Sequence, residues 1–365
     1  MDEKLIDKFR DRVNKNYFVL HKYKNVNGKN KWNCICSAMD WISVSVHYLC
    51  SDGVLNITKD ENKNSIEVFT FLSCIDILWE AIQQLHRVFY NTTSIPFVGE
   101  NKIFPNNQFS MSDNEFFKTV RACFGAHPVN LCDKFSGDEK ERRFASWSGS
   151  FGIKDGFSVM LYSNDISDRT IMFDIKFMEL WNFAEQRYHY LSHLMNVIKE
   201  QEAQYIKGQK KIKIEKSQNP LDQIDILLKE VNERSENDYY EEELKRLKIL
   251  FASVINGEKN KRIVEKYRGL LQLELQEIYE NVQNMTFKEL KWCELLSGEL
   301  PWKYHYPYSA MCDCLFGSGY KRPIGIEMLD EYIADIFDSN LWETYDELYT
   351  LVEVIKNYES IVETE

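Results

Sequence analysis

The chain has 365 residues, with 45 Lys and Arg against 57 Asp and Glu, a formal net charge of −12. That acidic balance argues against a protein that coats nucleic acid with its whole surface, and no apolar run approaches the ~18 residues of a membrane span. With 44% hydrophobic residues, 15 Gly and 7 Pro, the composition predicts one large or two ordinary soluble domains built from long helices rather than turn-rich β structure.

Leu5, Phe9 and Val13 predict a short amphipathic helix, followed by a polar loop from His21 to Lys31. Ile35, Met39, Ile42, Val46 and Leu49 predict a second helix stopping near Ser51-Asp52-Gly53. Ile66 to Tyr90 is apolar on most sides, as a central helix would be. Its polar residues Asp76, Glu80, Gln83 and Arg87 fall on one stripe, either a solvent face or the lining of a polar cleft. An extended connection with Pro96 and Pro105 leads to Ser112, which with Glu115 makes a capping box. Phe116, Phe117, Val120 and Phe124 then recur at helical spacing. Gly125 stands where a left-handed stop belongs, and Pro128 prevents the helix from resuming. Arg121 is thereby placed in the last turn, with His127 just beyond it.

After His127 the period shortens. RFASWSGSF, GFSVMLYS and RTIMFDI alternate β-branched and aromatic residues between turn signals, predicting a small antiparallel sheet of two or three strands at about 143–175. A long helix follows on Phe177, Trp181, Ala184, Tyr188, Leu191, Met195 and Ile198. The Lys-rich stretch 206–218 reads as a linker between an N-terminal domain, 1–205, and a helical C-terminal region, 219–365. The stripes Leu221/Ile224/Leu228/Val231, Leu244/Leu247/Phe251/Val254 and Ile263/Tyr267/Leu271/Leu275/Ile278/Val282 predict three helices there, the second stopping at Asn256-Gly257. Residues 292–320 read as irregular, and two acidic helices close the chain.

Charge is unevenly spread. Residues 326–365 hold twelve acidic residues and one Lys, whereas Met1 to Trp32 holds nine basic against four acidic residues. Lys207, Lys210, Lys211, Lys213 and Lys216 make a second basic cluster, so local RNA-binding surfaces are compatible with an acidic whole; solvated helix faces and a flexible linker are the plainer reading. Nine scattered Cys point to free thiols in a reducing compartment. With an opening MDEKLIDKFR unlike a signal peptide, a cytoplasmic location is expected. Cys34-x-Cys36 and Cys312-x-Cys314 lack zinc-site spacing. Glu185, His189 and His193 share a helix face as metal ligands could, but Tyr190 stands where H-E-x-x-H needs Glu, so no metal or other cofactor is expected. Gly317-Ser318-Gly319 with Lys321 and Arg322 lacks the P-loop spacing.

Arg121 and His127, in R-A-C-F-G-A-H-P, resemble the R-x(4–6)-H signature of HEPN-type proteins, helical-bundle domains of bacterial toxin–antitoxin and phage-defence systems. The resemblance covers about 31–204. It implies a mainly α, HEPN-like bundle, here with an inserted sheet and a second all-helical region. It also implies a metal-independent endoribonuclease, often a homodimer with the Arg and His of two protomers around one cleft, and open to a protein partner or inhibitor. His127, titrating near neutrality, suits general acid–base transfer at the ribose 2′-OH, and the planar Arg121 fork suits phosphate oxygens. Asp76 or Glu80 is the expected supporting carboxylate; the plainer structural alternative is that Arg121 pairs with a carboxylate and His127 caps the helix end. The residue after the Arg is Ala122, where many active members carry Asn, Asp or His. Arg187 and His193 repeat the spacing inside an unbroken helix, where six residues turn the side chains apart. A reading from another class is a non-catalytic helical module that binds RNA, nucleotide or a protein, with the acidic C-terminal helices as its contact surface.

Overall fold

The structure, a computed structural model, describes residues 1–51, 55–126, 131–132, 142–146, 155–235, 237–291, 294–299, 302, 327, 333, 336–338 and 344–362. It is mainly helical with one small antiparallel sheet, and it divides into two compact units, Met1–Glu202 and Ala203–Glu365.

In the first unit, α1 (Lys4–Asn14) buries Leu5, Phe9 and Val13, as their spacing requires. A short α2 (Phe18–Tyr23) follows Tyr17, whose left-handed backbone (φ 55°) lets the chain turn; the sequence offered no signal for it. The next two helices, α3 (Trp32–Cys50) and α4 (Glu61–Tyr90), pack as an antiparallel pair, with Ile35, Met39, Ile42, Val46 and Leu49 facing the α4 core residues. Helix α4 starts at Glu61, before the apolar run, because the Asp60 carboxylate accepts the N–H groups of Asn62 and Lys63. It ends at Asn91 in a left-handed cap.

The sheet has four strands in the order β1 (Leu131–Cys132), β2 (Arg142–Ser146), β3 (Gly156–Ser163), β4 (Ile171–Lys176), each antiparallel to its neighbour. Phe157, Val159 and Leu161 of β3 and Phe173 and Ile175 of β4 turn one face inward. Gly156 opens β3 because a Cβ there would lie 2.3 Å from the Ile175 carbonyl oxygen. Helix α6 (Phe177–Gln209) leaves β4 directly, and aromatic rings bind it to the rest. Phe183 stacks on Phe117 at 4.4 Å and meets Trp79 edge-on at 6.3 Å.

The second unit is all-helical among its described residues. Its core joins α7 (Pro220–Arg234), α8 (Asp238–Ala252), α9 (Glu258–Gln283), the short α10 (Glu294–Ser297), α11 (Tyr345–Lys356) and α12 (Tyr358–Val362). The buried stripe of α7 is Ile224, Leu227 and Val231, while Leu221 and Leu228 sit at its edge. Helix α8 stops at Ala252, earlier than Asn256-Gly257, so Val254 is exposed, and Gly257 (φ 82°) instead starts α9. The Lys-rich stretch, expected as a linker, begins within α6 and is held to the second unit by buried Ile214. Gly317 to Arg322 and Cys312-x-Cys314 lie outside the described residues.

One feature of this core opposes its stability at alkaline pH. Glu274 of α9 is fully buried, and neither carboxylate oxygen has a hydrogen-bond partner among the described residues. Burial, with Glu243 and Glu277 adding, pushes its carboxyl up to about 8, and burial raises Glu243 of α8 and Glu353 of α11 as well. A carboxyl whose native pKa lies above its unfolded value holds its proton longer when folded, so stability is full below pH ~4.5 and is lost as pH rises through 8. Urea titrations of the parent and Glu274→Gln should therefore diverge between pH 4.5 and 9. The variant is expected to gain on the order of 3 to 5 kcal/mol relative to the parent over that range. Parallel curves would refute this account of the core.

Candidate functional site

Helix α5 (Asp113–Arg121) is fixed at its start by two carboxylates. Glu115 accepts the Ser112 backbone N–H at 3.0 Å and the Ser112 hydroxyl at 2.7 Å, so the predicted capping pair forms. Asp113, fully buried, accepts the N–H groups of Lys102 and Phe104 at 2.9 Å and of Ile103 at 3.1 Å, which pins the incoming loop. Phe116, Phe117 and Val120 then face the core, and Arg121 ends the α-helix.

Beyond Arg121 the chain winds on as a π turn, Ala122–Ala126, instead of stopping at a left-handed Gly125. Cys123 and Phe124 anchor that turn, with Phe124 edge-on to Phe157 of the sheet at 4.7 Å. Tertiary packing of these two side chains thus outweighs the local stop signal. Burial pushes the Cys123 thiol up to about 12, which removes it as a nucleophile at neutral pH. His127 and Pro128 lie outside the described residues.

Arg121 meets Asp76 of α4, its Nε lying 2.9 Å from Oδ2, with the two side chains 41% and 32% exposed. Burial raises the Asp76 carboxyl, against the pull of Arg121 and Lys118 and with Glu80 adding to the rise. At this exposure the pair is worth only about 0.5–1 kcal/mol, so its value lies in orientation. Asp76 occupies the Nε edge, whereas Nη1 and Nη2 make no hydrogen bond among the described residues and remain available to an anion. Glu80 does not share the role: it lies 3.6 Å from Arg87 and accepts Gln84 at 2.7 Å. The predicted polar stripe of α4 is therefore neither a plain solvent face nor one cleft, since Gln83 is buried and Asp76 is half-buried.

The repeated spacing at Arg187 and His193 separates as helical geometry requires. Arg187 is fully buried, its guanidinium 3.7 Å from the centre of the Phe183 ring, and His193 is exposed. Glu185, His189 and His193 do not converge: Glu185 lies 3.2 Å from the Met1 amino group, and Tyr90 meets His193. Among the described residues, no group of His, Cys, Asp or Glu has metal-binding geometry. Cys34 and Cys36 are free, and burial raises both thiols.

A cluster that sequence reasoning missed bridges α4 and α6. His86 Nδ1 lies 2.9 Å from the Tyr190 hydroxyl, the Tyr90 hydroxyl and His193 Nε2 are 2.6 Å apart, and the Tyr190 and His193 rings lie 5.0 Å apart. The only local signal was an aromatic and a His one turn apart on each helix, which does not reveal that the two helices face each other there.

No family model, no curated protein and no solved structure matches this chain.

Burial, the nearby His193 and Arg87 hold the His86 imidazole below its ordinary pKa. The unfolded chain takes up that proton first, so the contribution of His86 to stability is full above pH ~6.5 and is lost as pH falls through its lower native value. Thermal melts of parent and His86→Gln should converge as pH drops from 7.5 towards 5, the variant being less pH-sensitive. An unchanged gap between them would exclude His86 as the responsible group.

Proposed function

We propose that this chain is a metal-independent endoribonuclease of the bacterial defence or toxin type, as the R-x5-H resemblance implies. The observation that carries the reading is Arg121, held through Nε by Asp76 on a neighbouring helix while its terminal nitrogens make no hydrogen bond among the described residues. That arrangement presents a permanently charged, planar fork to a phosphate at little ordering cost on binding. The helix changes to a π turn directly after Arg121, and such turns occur frequently at functional sites.

His127 takes the proton from a ribose 2′-OH as the 2′-oxygen attacks phosphorus. The bond from phosphorus to the 5′-oxygen breaks, leaving a 2′,3′-cyclic phosphate and, once a second group returns a proton, a 5′-hydroxyl. Arg121 stabilises the crowded phosphate during this step. No metal takes part. The second proton donor comes from another copy of the chain, which brings its own Arg121 and His127. Support for a homodimer comes from the outward face of the α3–α4 pair, where Trp41, Val44, Ile66, Phe69 and Ile77 are exposed. The Thr70 and Ser73 hydroxyls on that face donate back to the Ile66 and Phe69 carbonyls at 2.9 and 2.8 Å and make no polar demand on a partner.

The test is cleavage of total RNA and tRNA in EDTA. The parent should cut, Arg121→Ala and His127→Ala should each lose on the order of 100-fold or more, and Asp76→Asn should lose less. Arg121→Lys should not restore activity, because an ammonium lacks the fork. A parent that binds RNA without cutting it would leave the binding-module reading in place. Equal cutting by all variants would remove Arg121 and His127 from the site.

A further inference from the structure

In the second unit, the stretch from Gln209 to Ser217 contains neither strand nor, beyond the end of α6, helix, yet its backbone is held at close intervals by buried side chains. Arg234, 2% exposed, donates to the Gln209 and Ile212 carbonyls, both at 3.1 Å. Gln283, 7% exposed, donates to the Lys210 and Ile212 carbonyls and accepts the Ile214 N–H at 2.9 Å. Tyr279 donates to the Ile214 carbonyl at 3.2 Å, and buried Gln223 accepts the Ser217 N–H at 3.0 Å. Four largely buried polar side chains are thus committed to a segment that a solvated linker would leave loose.

What this clamp displays is charge. Lys207, Lys210, Lys211, Lys213 and Lys216 are all exposed, and none is ion-paired among the described residues; Glu215 is the one acidic residue between them. At its far end the segment enters a cleft of about 260 Å³ lined by Lys216, Ser217, Gln218, Gln223, Gln272, Gln276 and neighbours. Lys216 also lies 4.6 Å from the centre of the Tyr279 ring.

We propose that this clamped lysine segment and the glutamine-lined cleft it enters bind single-stranded RNA. The lysines meet phosphates, and the amides and hydroxyl meet base edges. Fixing the segment in the folded chain removes the ordering cost that a free lysine tail would pay on binding. The local charge is strongly positive although the whole protein is acidic, so attraction acts at close range within a Debye length. A cleft rather than a broad surface fits one strand better than a duplex. The choice of RNA over other polyanions rests on the ribonuclease reading above; the site itself does not use Arg121.

The experiment is fluorescence anisotropy of the full chain with a labelled, 2′-O-methylated 12-nucleotide strand that cannot be cleaved, over a series of NaCl concentrations. Replacing all five lysines by Gln should weaken binding by about 30-fold or more at 0.1 M salt and flatten the salt slope by about 3, since each phosphate left without its lysine removes roughly 0.7. The paired substitution Gln272→Ala with Gln276→Ala should weaken binding about 3- to 10-fold and leave the slope unchanged. Arg121→Ala removes one phosphate contact at a separate place and should lower the salt slope by no more than about 0.7, and the five-lysine substitution should weaken binding just as much in that background, which separates this inference from the catalytic one. Parent-like affinity and slope in the five-lysine variant would overturn the proposal. So would equal displacement by duplex RNA or by inorganic polyphosphate, or loss of binding only in Arg121→Ala.

Discussion

The first unit depends on how it accommodates one buried charge. Arg187 has no exposed surface and, among the described residues, no carboxylate within hydrogen-bonding reach and no partner for its Nε; it donates to Asn114 at 2.8 Å and to Gln186. Its guanidinium lies among the rings of Phe183, Phe97 and Trp79 at 3.7, 4.8 and 5.4 Å. Burial lowers it to about 10, opposed by Asp113 and Glu100, so it keeps its charge at neutral pH. A desolvated charge is tolerable only where such contacts are all in place, which ties α6 to α4 and to the loop around Phe97. Asn114 completes the tie, because its amide donates to the carbonyls of Pro96 and Phe97 at 3.2 and 3.1 Å. The start of α5 is thereby fixed, and with it the direction in which Arg121 emerges.

The two arginines have opposite roles for the same chemical reason. A planar fork with several donors can be enclosed among rings and held through its terminal nitrogens, as in Arg187, or held along its Nε edge, as in Arg121. Arg187 is enclosed and holds the fold, while Arg121 is held by Asp76 along its Nε edge and keeps its other donors outward. The π turn beyond Arg121 is likewise anchored from within, through Cys123 and Phe124, so the chain leaves the helix on a packed base.

Buried polar groups are treated differently in the second unit. Arg234, Gln283, Gln223 and Tyr279 are spent on holding a surface segment, whereas Glu274 is buried without a hydrogen-bond partner among the described residues. The first group converts a lysine-rich connection into a defined surface. The second makes the helical core sensitive to proton concentration, since a neutral carboxyl is tolerated there and a carboxylate is not.

By itself, the sequence determined the helical class, the small sheet near 143–175, the capping pair Ser112/Glu115 and most inward stripes. These follow from short-range rules: side-chain periodicity of 3.6 or 2, and hydrogen bonds within one turn. It also marked Arg121 as the end of an α-helix. Only the tertiary structure decided that Asp76 and not Glu80 meets Arg121, that Arg187 is enclosed, and that the lysine segment is clamped. It also decided that Gly125 does not stop the helix, because buried Cys123 and Phe124 carry the turn onward. Each of these outcomes depends on which groups far apart in the chain become neighbours, and on the cost of leaving a charge or a backbone group unpaired once water is excluded.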